Sequence, residues 1–457
     1  MLAPLGHRTY RHLFAAQVVA LVGTGLTTVA LGLLAYDLAG GRAGALLGTA
    51  LALTMGAFVT FAPLVGAIAH RLPRRAFLVG LDLGRAGVVV LLPFVTEVWQ
   101  VYALILALNG ASAAFTPTFQ ATIPDSLEDE KTYTEALSLS RLAYDLENLL
   151  SPALAGLALA AIAFDGLFVA TAAGFLVSAG LVLSVRLPAA REPERAPGVL
   201  ANLTAGLRIY LNTPRLRGLL ALALAVSAAG AMVIVNTVVY VRDRLGGGEA
   251  EVAWMLAASG AGSMIVALSL PRLLERVPER AAMLAGGGTL AIGTAAGLLA
   301  PGLAGLAALW LVLGAGMALV QTPAGRLLRR SAHAGDRPAV FSAQFALSHA
   351  CWLVTYPLAG WLGAEVGLAA AFAVLAALAL LGTAAAATLW PPGDPIEIEH
   401  IHPGGAHEHL HVHDAHHQHA HEGWEGPEPH RHPHRHRPMR HRHPVVIDLH
   451  HPVWPDR

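Results

Sequence analysis

Long apolar stretches are the feature that most restricts what this chain can fold into. A helix needs roughly 20 apolar residues to cross a bilayer, and the sequence contains about twelve such stretches. They lie near residues 12–36, 43–69, 76–96, 99–123, 136–163, 166–187, 216–241, 250–273, 281–300, 303–325, 339–363 and 366–390. Charged residues make up 13% of the chain, about half the share found in soluble domains. The sequence therefore predicts an all-α membrane protein with twelve transmembrane helices.

Arginine and lysine are distributed unevenly between the predicted loops. If the N-terminus is cytoplasmic, the inner loops and the N-terminus carry 19 of these residues before Pro391, and the outer loops carry three. Cytoplasmic loops of membrane proteins are enriched in Lys and Arg. We therefore predict a multi-pass protein of the cell (inner) membrane. An even number of spans then places both termini in the cytoplasm.

The longest internal loop separates six predicted spans from six. We divide the chain into an N-terminal half (1–187), a cytoplasmic linker (188–215), a C-terminal half (216–390) and a tail (391–457). The two halves repeat weakly, because Pro117 in the fourth span is matched by Pro323 in the tenth. Prolines at matching positions of the two halves are typical of transporters built from two structural repeats around a shared site. The alternative interpretation is a chance similarity between helices rich in Ala and Leu.

The loop after the second predicted span has a charged sequence, Gly66-Ala-Ile-Ala-His70-Arg71-Leu-Pro73-Arg74-Arg75. It resembles the Gly-x-x-x-Asp-Arg-x-Gly-Arg-Arg loop of the major facilitator superfamily. His70 stands where that family has Asp, and Pro73 stands where it has Gly. The resemblance implies the major facilitator fold, with two pseudo-symmetric halves of six helices. It also implies a gating role for Gly66, His70, Arg71, Arg74 and Arg75.

Eighteen of the 23 histidines lie after Pro391, in a polar tail. Neutral imidazole binds Ni²⁺, Zn²⁺, Cu²⁺ and Co²⁺, and His-rich tracts are a metal-binding composition. The other reading is a soluble tail whose histidines have no specific partner. In both readings this composition cannot bury a core, so we predict disorder after Pro391. The candidate metal ligands are His407, His409, His411, His413, His416, His417, His419, His421, His430, His432, His434, His436, His441 and His443.

Twelve spans followed by a His-rich cytoplasmic C-terminus resemble the NreB-type nickel-resistance exporters of the same superfamily. Residues 138–147, 325–333 and 348–352 are similar to the pattern of that family. The resemblance implies efflux of a divalent metal from the cytoplasm.

Ionisable side chains inside the predicted spans are candidates for the transport path, because such groups are costly in lipid. Asp82 and Arg85 are three residues apart in the third span, and Arg141 and Asp145 are four apart in the fifth. Both pairs fit structural ion pairs. Alternatively, Asp145 carries a proton or a metal and Arg141 adjusts its pKa. Glu147 lies about 200° round the helix from Asp145 and cannot face the same cavity directly.

The eleventh predicted span carries a second polar stripe. Gln344, Ser348 and Cys351 follow one another at helical spacing, and His349 lies on the neighbouring stripe. The repeat of the two halves places His349 at a depth similar to that of Asp145. Imidazole, thiol and carboxylate groups together suit a borderline metal ion. The other interpretation is that His349 and Cys351 are interior residues hydrogen-bonded within the bundle.

We therefore predict a secondary exporter of a divalent transition metal, with Ni²⁺ first and Co²⁺ next, driven by proton antiport. No enzyme activity is expected, and no Gly-x-x-x-x-Gly-Lys-Ser/Thr phosphate loop occurs. The expected partners are the metal substrate, protons and the lipid bilayer. A formal net charge of zero argues against nucleic acid. We expect a monomer without a permanent cofactor.

Two other functions fit the same sequence. One is an exporter of an organic compound, such as a drug or siderophore, with a metal-regulated tail. The other is a membrane-bound metal sensor. We favour it less, because the sequence pattern does not indicate an added signalling domain. The chemistry of the central cavity separates the first of these from a metal exporter. An organic substrate needs a wide, aromatic pocket, whereas a metal path needs convergent His, Cys or carboxylate groups.

Overall fold

The computed structural model describes residues 2–39, 43–127, 129–159, 161–188, 199–394, 397–402, 406–411, 430–435, 439–447 and 454. The helices in this part of the chain are α1 (Arg8–Ala39), α2 (Ala43–Ile68), α3 (Arg74–Leu91), α4 (Val98–Ser126), α5 (Glu130–Leu159), α6 (Phe164–Leu183), α7 (Val199–Asn212), α8 (Pro214–Val239), α9 (Glu249–Leu273), α10 (Glu279–Ala296), α11 (Leu303–Gln321), α12 (Ala324–Arg330), α13 (Arg337–Trp361) and α14 (Leu368–Leu389). The strands are β1 (Glu397–His402), β2 (Ala406–His411), β3 (His430–Arg435) and β4 (Met439–Pro444).

The long helices lie where the apolar stretches predict them. Over the residues that the structure describes, nine helices are long and apolar enough to cross a membrane, so the chain is a multi-pass membrane protein. The count of twelve spans stays a prediction. Of the remaining long helices, α2 contains a shorter apolar stretch, Leu53–Val65. Helices α5 and α13 are less apolar because polar groups such as Arg141 and Gln344 lie in their middle turns.

Helices α1–α6 and α8–α14 form two groups. The first contains two buried apolar clusters, and the second is built around one large cluster. Helix α7, which follows the amphipathic pattern of the linker, packs against α2 of the first group and α13 of the second. The start of α1, helix α7 and the end of α14 lie at the same end of the bundle, which we call the linker end. The arginine distribution predicts that this end is cytoplasmic.

The two matched prolines have different effects on the backbone. Helix α4 continues through Pro117 to Ser126, whereas α11 ends at Gln321 and α12 begins after Pro323. Proline removes one hydrogen bond of a helix and crowds the preceding turn. After this break, the α12 residues Arg326 and Arg329 form ion pairs with Glu130 of the other half at the linker end.

The tail forms paired strands in its described residues. Strand β1 pairs antiparallel with β4, and β2 pairs antiparallel with β3. The predicted disorder after Pro391 is therefore not confirmed for these residues. The reason is that His at alternate positions also has the period of two of a β-strand, and pairing satisfies the backbone without a core. His413, His416, His417, His419, His421 and His436 lie outside the described residues.

Helices α9 and α11 approach each other closely through two glycines. A Cβ atom at Gly262 would lie 1.8 Å from the carbonyl oxygen of Leu311. A Cβ atom at Gly314 would lie 1.8 Å from the carbonyl oxygen of Ser259. Small residues allow such backbone contacts between membrane helices, so this pair of glycines sets the distance between α9 and α11.

We expect Gly262→Ala to push α9 and α11 apart, because the added carbon would meet backbone that no side-chain rotation can move. Overpacking of this kind costs about 1–3 kcal/mol. Thermal denaturation of the purified protein in detergent should therefore show a lower midpoint. Gly260→Ala is the matched control, since a Cβ atom at Gly260 would meet nothing within 4 Å. Equal midpoints for the two variants would contradict this packing.

Candidate functional site

A cavity of about 380 Å³ lies between the two halves of the bundle. Its polar wall includes four glutamines, one arginine and one histidine, together with hydroxyl and aromatic side chains. Among its described lining residues, Arg141 is the single side chain with a permanent charge. The glutamines, arginine and histidine are Gln17, Gln120, Gln321, Gln344, Arg141 and His349.

Arg141 and Asp145 on α5 hold the two halves together at this cavity. The Arg141 Nη2 atom lies 3.0 Å from Asp145 Oδ1, and its Nε donates to Ser263 Oγ on α9 at 2.9 Å. Ser263 Oγ donates in turn to Asp145 Oδ2 at 2.6 Å, while Arg141 Nη1 donates to Gln321 Oε1 at 2.5 Å. We call these four residues the central latch. Because it joins α5 to α9 and α11, separation of the halves at this level must break it.

His349 lies on the cavity wall between two phenylalanine rings. Its ring centroid is 4.1 Å from that of Phe345 and 4.9 Å from that of Phe58. The His349 Nδ1 atom is 2.7 Å from the carbonyl oxygen of Phe345. Since a carbonyl oxygen only accepts hydrogen bonds, Nδ1 carries the proton. The lone pair is then on Nε2, which can accept a hydrogen bond or bind a metal.

The structure brings some of the predicted path residues together and leaves others apart. Arg141, Gln344, Ser348 and His349 line the cavity, and Asp145 lies beside Arg141. Gln344 also accepts a hydrogen bond from the Tyr210 hydroxyl. Glu147 and Cys351 are not among the described residues of the cavity wall.

Asp82 and Arg85 form an ion pair within the N-terminal half, and neither is among the described residues that line the cavity. The Arg85 guanidinium lies between the rings of Phe115 and Phe175, at 4.1 and 4.5 Å from their centroids. Ser178 donates a hydrogen bond of 2.7 Å to the free carboxylate oxygen of Asp82. This fully enclosed arrangement fits the structural interpretation of the pair.

The predicted set of imidazole, thiol and carboxylate ligands is not assembled in the described part of the protein. There, no three His, Cys, Asp or Glu side chains are grouped closely enough to hold a metal ion. Cation ligands at the cavity are limited to His349 Nε2 and to amide and hydroxyl oxygens, with the Asp145 carboxylate held by Arg141.

Sequence reasoning did not single out several residues that shape this site. Gln17, Gln120 and Gln321 each interrupt an apolar stretch, so their position in the sequence was a usable signal. Ser263 offers no such signal, because serine is common in membrane helices. Its role depends on the packing of α9 against α5, which only the structure shows.

Ion pairs connect the halves at the linker end as well. Glu130 on α5 lies 2.9 Å from Arg326 Nε and 3.5 Å from Arg329 Nη1, both on α12. Lys131 Nζ lies 2.9 Å from a carboxylate oxygen of Glu275, beyond α9. The hydrogen bond and charge of Lys131 lower the pKa of that exposed carboxyl. These contacts hold the linker end closed.

The predicted gating loop takes part in this closure through Arg74. Arg74 Nη1 lies 2.6 Å from Asp125 at the end of α4, and Asp125 also pairs with Arg337 at the start of α13. Asp125 thus connects Arg74, at the end of the gating loop, to Arg337 in the C-terminal half. Arg71 and Arg75 are exposed. The surroundings of Gly66 and the side chain of His70 lie outside the described part of the structure.

Two family models match the chain. One, described as a transmembrane secretion effector, covers residues 1–326. The other, described as the major facilitator superfamily, covers residues 220–445. Among curated relatives, the chain is 25% identical over 334 residues to the uncharacterised MFS-type transporter YfiS of Bacillus subtilis (strain 168). The match covers 71% of this chain and 79% of the relative. It is 27% identical over 338 residues to the multidrug efflux pump Tap of Mycolicibacterium fortuitum. This match covers 70% of this chain and 82% of the relative.

Solved structures share the fold at low sequence identity. The human organic anion transporter MFSD10 (TETRAN) superposes with a TM-score of 0.71 at 15% identity, covering 83% of this chain and 99% of that one. A bacterial homologue of the iron transporter ferroportin, in its outward-facing state, gives a TM-score of 0.70 at 15% identity with the same coverage.

Proposed function

The chain belongs to the transmembrane secretion effector family of the major facilitator superfamily, and within it we propose a secondary exporter of a divalent transition metal. The superfamily consists of membrane transporters and not of enzymes. Ni²⁺ is the first candidate substrate and Co²⁺ the second, and the proposed driving force is the inward flow of protons. NreB-type exporters are the subgroup that this proposal implies.

The register of the tail strands is the observation that carries the metal proposal. Strands β2 and β3 pair His407 with His434, His409 with His432, and His411 with His430. Directly opposed positions of antiparallel strands are neighbours across the sheet, so this register places six histidine positions as three cross-strand pairs. Alternate positions of a strand belong to one face, so the three pairs form a row of candidate sites on one face.

The central latch supplies a means of coupling metal to protons. With Asp145 ionised, its charge cancels that of Arg141, and a cation can enter the cavity near His349 and the glutamine oxygens. Once Asp145 takes up a proton, Arg141 keeps an uncompensated positive charge beside the cation. The metal and the proton therefore exclude one another electrostatically, which is the requirement for antiport.

The same protonation weakens the contact between the two halves. A neutral Asp145 loses its ionic attraction to Arg141, and the latch to Ser263 and Gln321 loosens with it. Proton uptake from outside would thus expel the metal and free the halves to move. Proton release to the cytoplasm would restore the neutral pair and the capacity to accept a new cation.

A second candidate substrate is an organic compound, and the cavity wall favours it. Phe341, Phe345 and Trp352 line the cavity beside its amide and hydroxyl groups, which is the lining expected for an organic molecule. Its described wall does not contain a set of three metal ligands. Similarity to a multidrug efflux pump points the same way, whereas the tail histidines favour a metal.

Accumulation of ⁶³Ni in cells separates the two substrates. Cells that express the protein should retain less ⁶³Ni than cells that carry an empty vector, and should grow at higher Ni²⁺ concentrations. Resistance across Ni²⁺, Co²⁺, Zn²⁺, Cu²⁺ and a panel of drugs should peak at Ni²⁺. Equal ⁶³Ni retention, with the protein detected in the membrane, would rule out nickel export. Resistance to drugs alone would establish the second candidate.

Truncation after Asp394 should leave a folded bundle that binds less metal. This cut keeps the Asp394 carboxylate beside the buried Arg215, from which it is 3.3 Å away. Equilibrium dialysis with ⁶³Ni at pH 7.5 should show several ions per full-length protein and fewer per truncated protein. Binding by the full chain should fall toward pH 5.5, because protons compete for imidazoles with a reference pKa of about 6.5. Equal binding by both forms would remove the tail from the metal sites.

A further inference from the structure

Four described residues near the end of the tail return to the membrane bundle: Val445, Val446 and Ile447 are buried there, and Trp454 is partly buried. The exposed fractions of Val445, Val446 and Ile447 are 2%, 4% and 3%. Ile447 belongs to the apolar core of the C-terminal half, and Trp454 packs against the same core. We call residues 445–447 together with Trp454 the tail-end segment. Pairing of β1 with β4 brings this segment back beside Asp394, where the tail leaves the bundle.

A buried arginine receives the tail-end segment. Arg215, at the start of α8, is 1% exposed and donates a hydrogen bond from Nη2 to the carbonyl oxygen of Val445. Its guanidinium lies 4.9 Å from the ring of Trp454. Its Nε donates to Ser331 Oγ at 2.7 Å. The segment therefore completes the contacts of a charged group that lies inside the protein.

Arg215 is also one end of a line of ion pairs that reaches the opposite half. In order, these are Arg215–Asp394 (3.3 Å), Asp394–Arg330 (2.8 Å), Arg330–Glu279 (3.4 Å), Glu279–Arg326 (2.7 Å) and Arg326–Glu130 (2.9 Å). Glu130 lies on α5, in the N-terminal half. The line thus runs from the docked end of the tail to the contacts that close the linker end.

We propose that the tail-end segment is a built-in clamp that stabilises the conformation closed at the linker end. Docking fixes Arg215, which positions Asp394 and through it Arg330. Arg330 and Arg326 share Glu279, so the orientation of α12 toward Glu130 depends on this group of charges. Loss of the segment removes the Val445 and Trp454 contacts of Arg215 and leaves those to Ser331, Asp394 and the Arg330 carbonyl. The guanidinium is then held less firmly, which loosens α12. The linker end then opens more readily.

Distances between spin labels on the two halves test the clamp directly. The full-length protein would carry Cys351→Ser, with labels at Ala76→Cys on α3 and Arg276→Cys beyond α9. Both positions are exposed at the linker end and lie outside the line of ion pairs. One variant is Ile447→Asp with Trp454→Ala, and a second is truncation after Pro444. Ile447→Leu is the matched control, because it keeps an apolar side chain at the same site.

Undocking should increase the population with the longer inter-label distance about fivefold, the effect of losing one hydrogen-bonded contact. The Ile447→Leu protein should match the parent. An unchanged distance distribution in the truncated protein would overturn the clamp, as would an equal change in the Ile447→Leu control. This readout needs no substrate, so its failure would leave the proposal of metal export standing, and the reverse also holds.

Discussion

Asp145→Asn is expected to abolish metal transport and to weaken Ni²⁺ binding at the central cavity by at least about 100-fold. The substitution keeps the size of the side chain but leaves the charge of Arg141 uncompensated. At an effective dielectric constant of about 20, a divalent cation within the same cavity as one uncompensated unit charge is repelled by a few kcal/mol. A factor of ten in affinity corresponds to about 1.4 kcal/mol, so this repulsion is enough to empty the cavity.

The measurement is ⁶³Ni binding to protein truncated after Asp394, so that the tail histidines do not contribute. Ser263→Ala is the control, since it removes a hydroxyl from the central latch and changes no charge. We expect a much smaller effect from it. Normal transport by Asp145→Asn would show that Asp145 is structural and that proton coupling lies elsewhere. An organic anion as substrate would bind the Asp145→Asn protein as well as the parent, or better.

Arg141→Gln is expected to abolish transport as well, but with the opposite effect on binding. Removal of the guanidinium leaves the Asp145 carboxylate free to attract a cation, so Ni²⁺ should bind the cavity more tightly than in the parent. Release then fails, because protonation of Asp145 no longer exposes a repelling charge. Binding of ⁶³Ni to the truncated protein, compared with efflux from cells, separates the two effects. Weaker binding in both variants would contradict the electrostatic competition between metal and proton.

The positions of the helices can be predicted from the sequence, because the lipid bilayer restricts which sequences can span it. A spanning helix must be long and apolar, and this property can be read in a linear window. The same comparison of hydropathy along the sequence distinguishes α5 and α13 from the other long helices, because both are less apolar. Arg141 and Asp145 on one, and Gln344 and His349 on the other, are polar groups that an apolar stretch does not need. Both helices line the cavity.

Contacts between distant helices could not be predicted in the same way. Nothing in the spacing of residues shows that Ser263 would lie between Arg141 and Asp145, since this depends on how two halves pack. Cys351 shows the reverse case, a residue that the sequence places at the site and the structure does not. Cys351 has the spacing of the cavity stripe on α13, but a half-buried position outside the described cavity wall.

The tail shows how one pattern can support two structures. Histidine at alternate positions of a polar tail predicts a disordered array of ligands, and the same alternation matches the pleat of a strand. Which one forms depends on whether a partner strand is available. The buried contacts of Val445 and Ile447 lie close in sequence to β4 and would favour the paired form. Their apolar character was visible in the sequence, whereas their docking site at Arg215 was not.

Transport of Ni²⁺ into inverted membrane vesicles would test the proposed function most directly. A pH gradient, acidic inside, reproduces the inward flow of protons in the cell, and a metal-sensitive dye reports Ni²⁺ in the lumen. The parent should take up Ni²⁺ only when the gradient is present, and the Asp145→Asn protein should take up none. Gradient-driven uptake of a cationic dye without any uptake of Ni²⁺ or Co²⁺ would contradict metal export and identify the protein as an exporter of organic compounds.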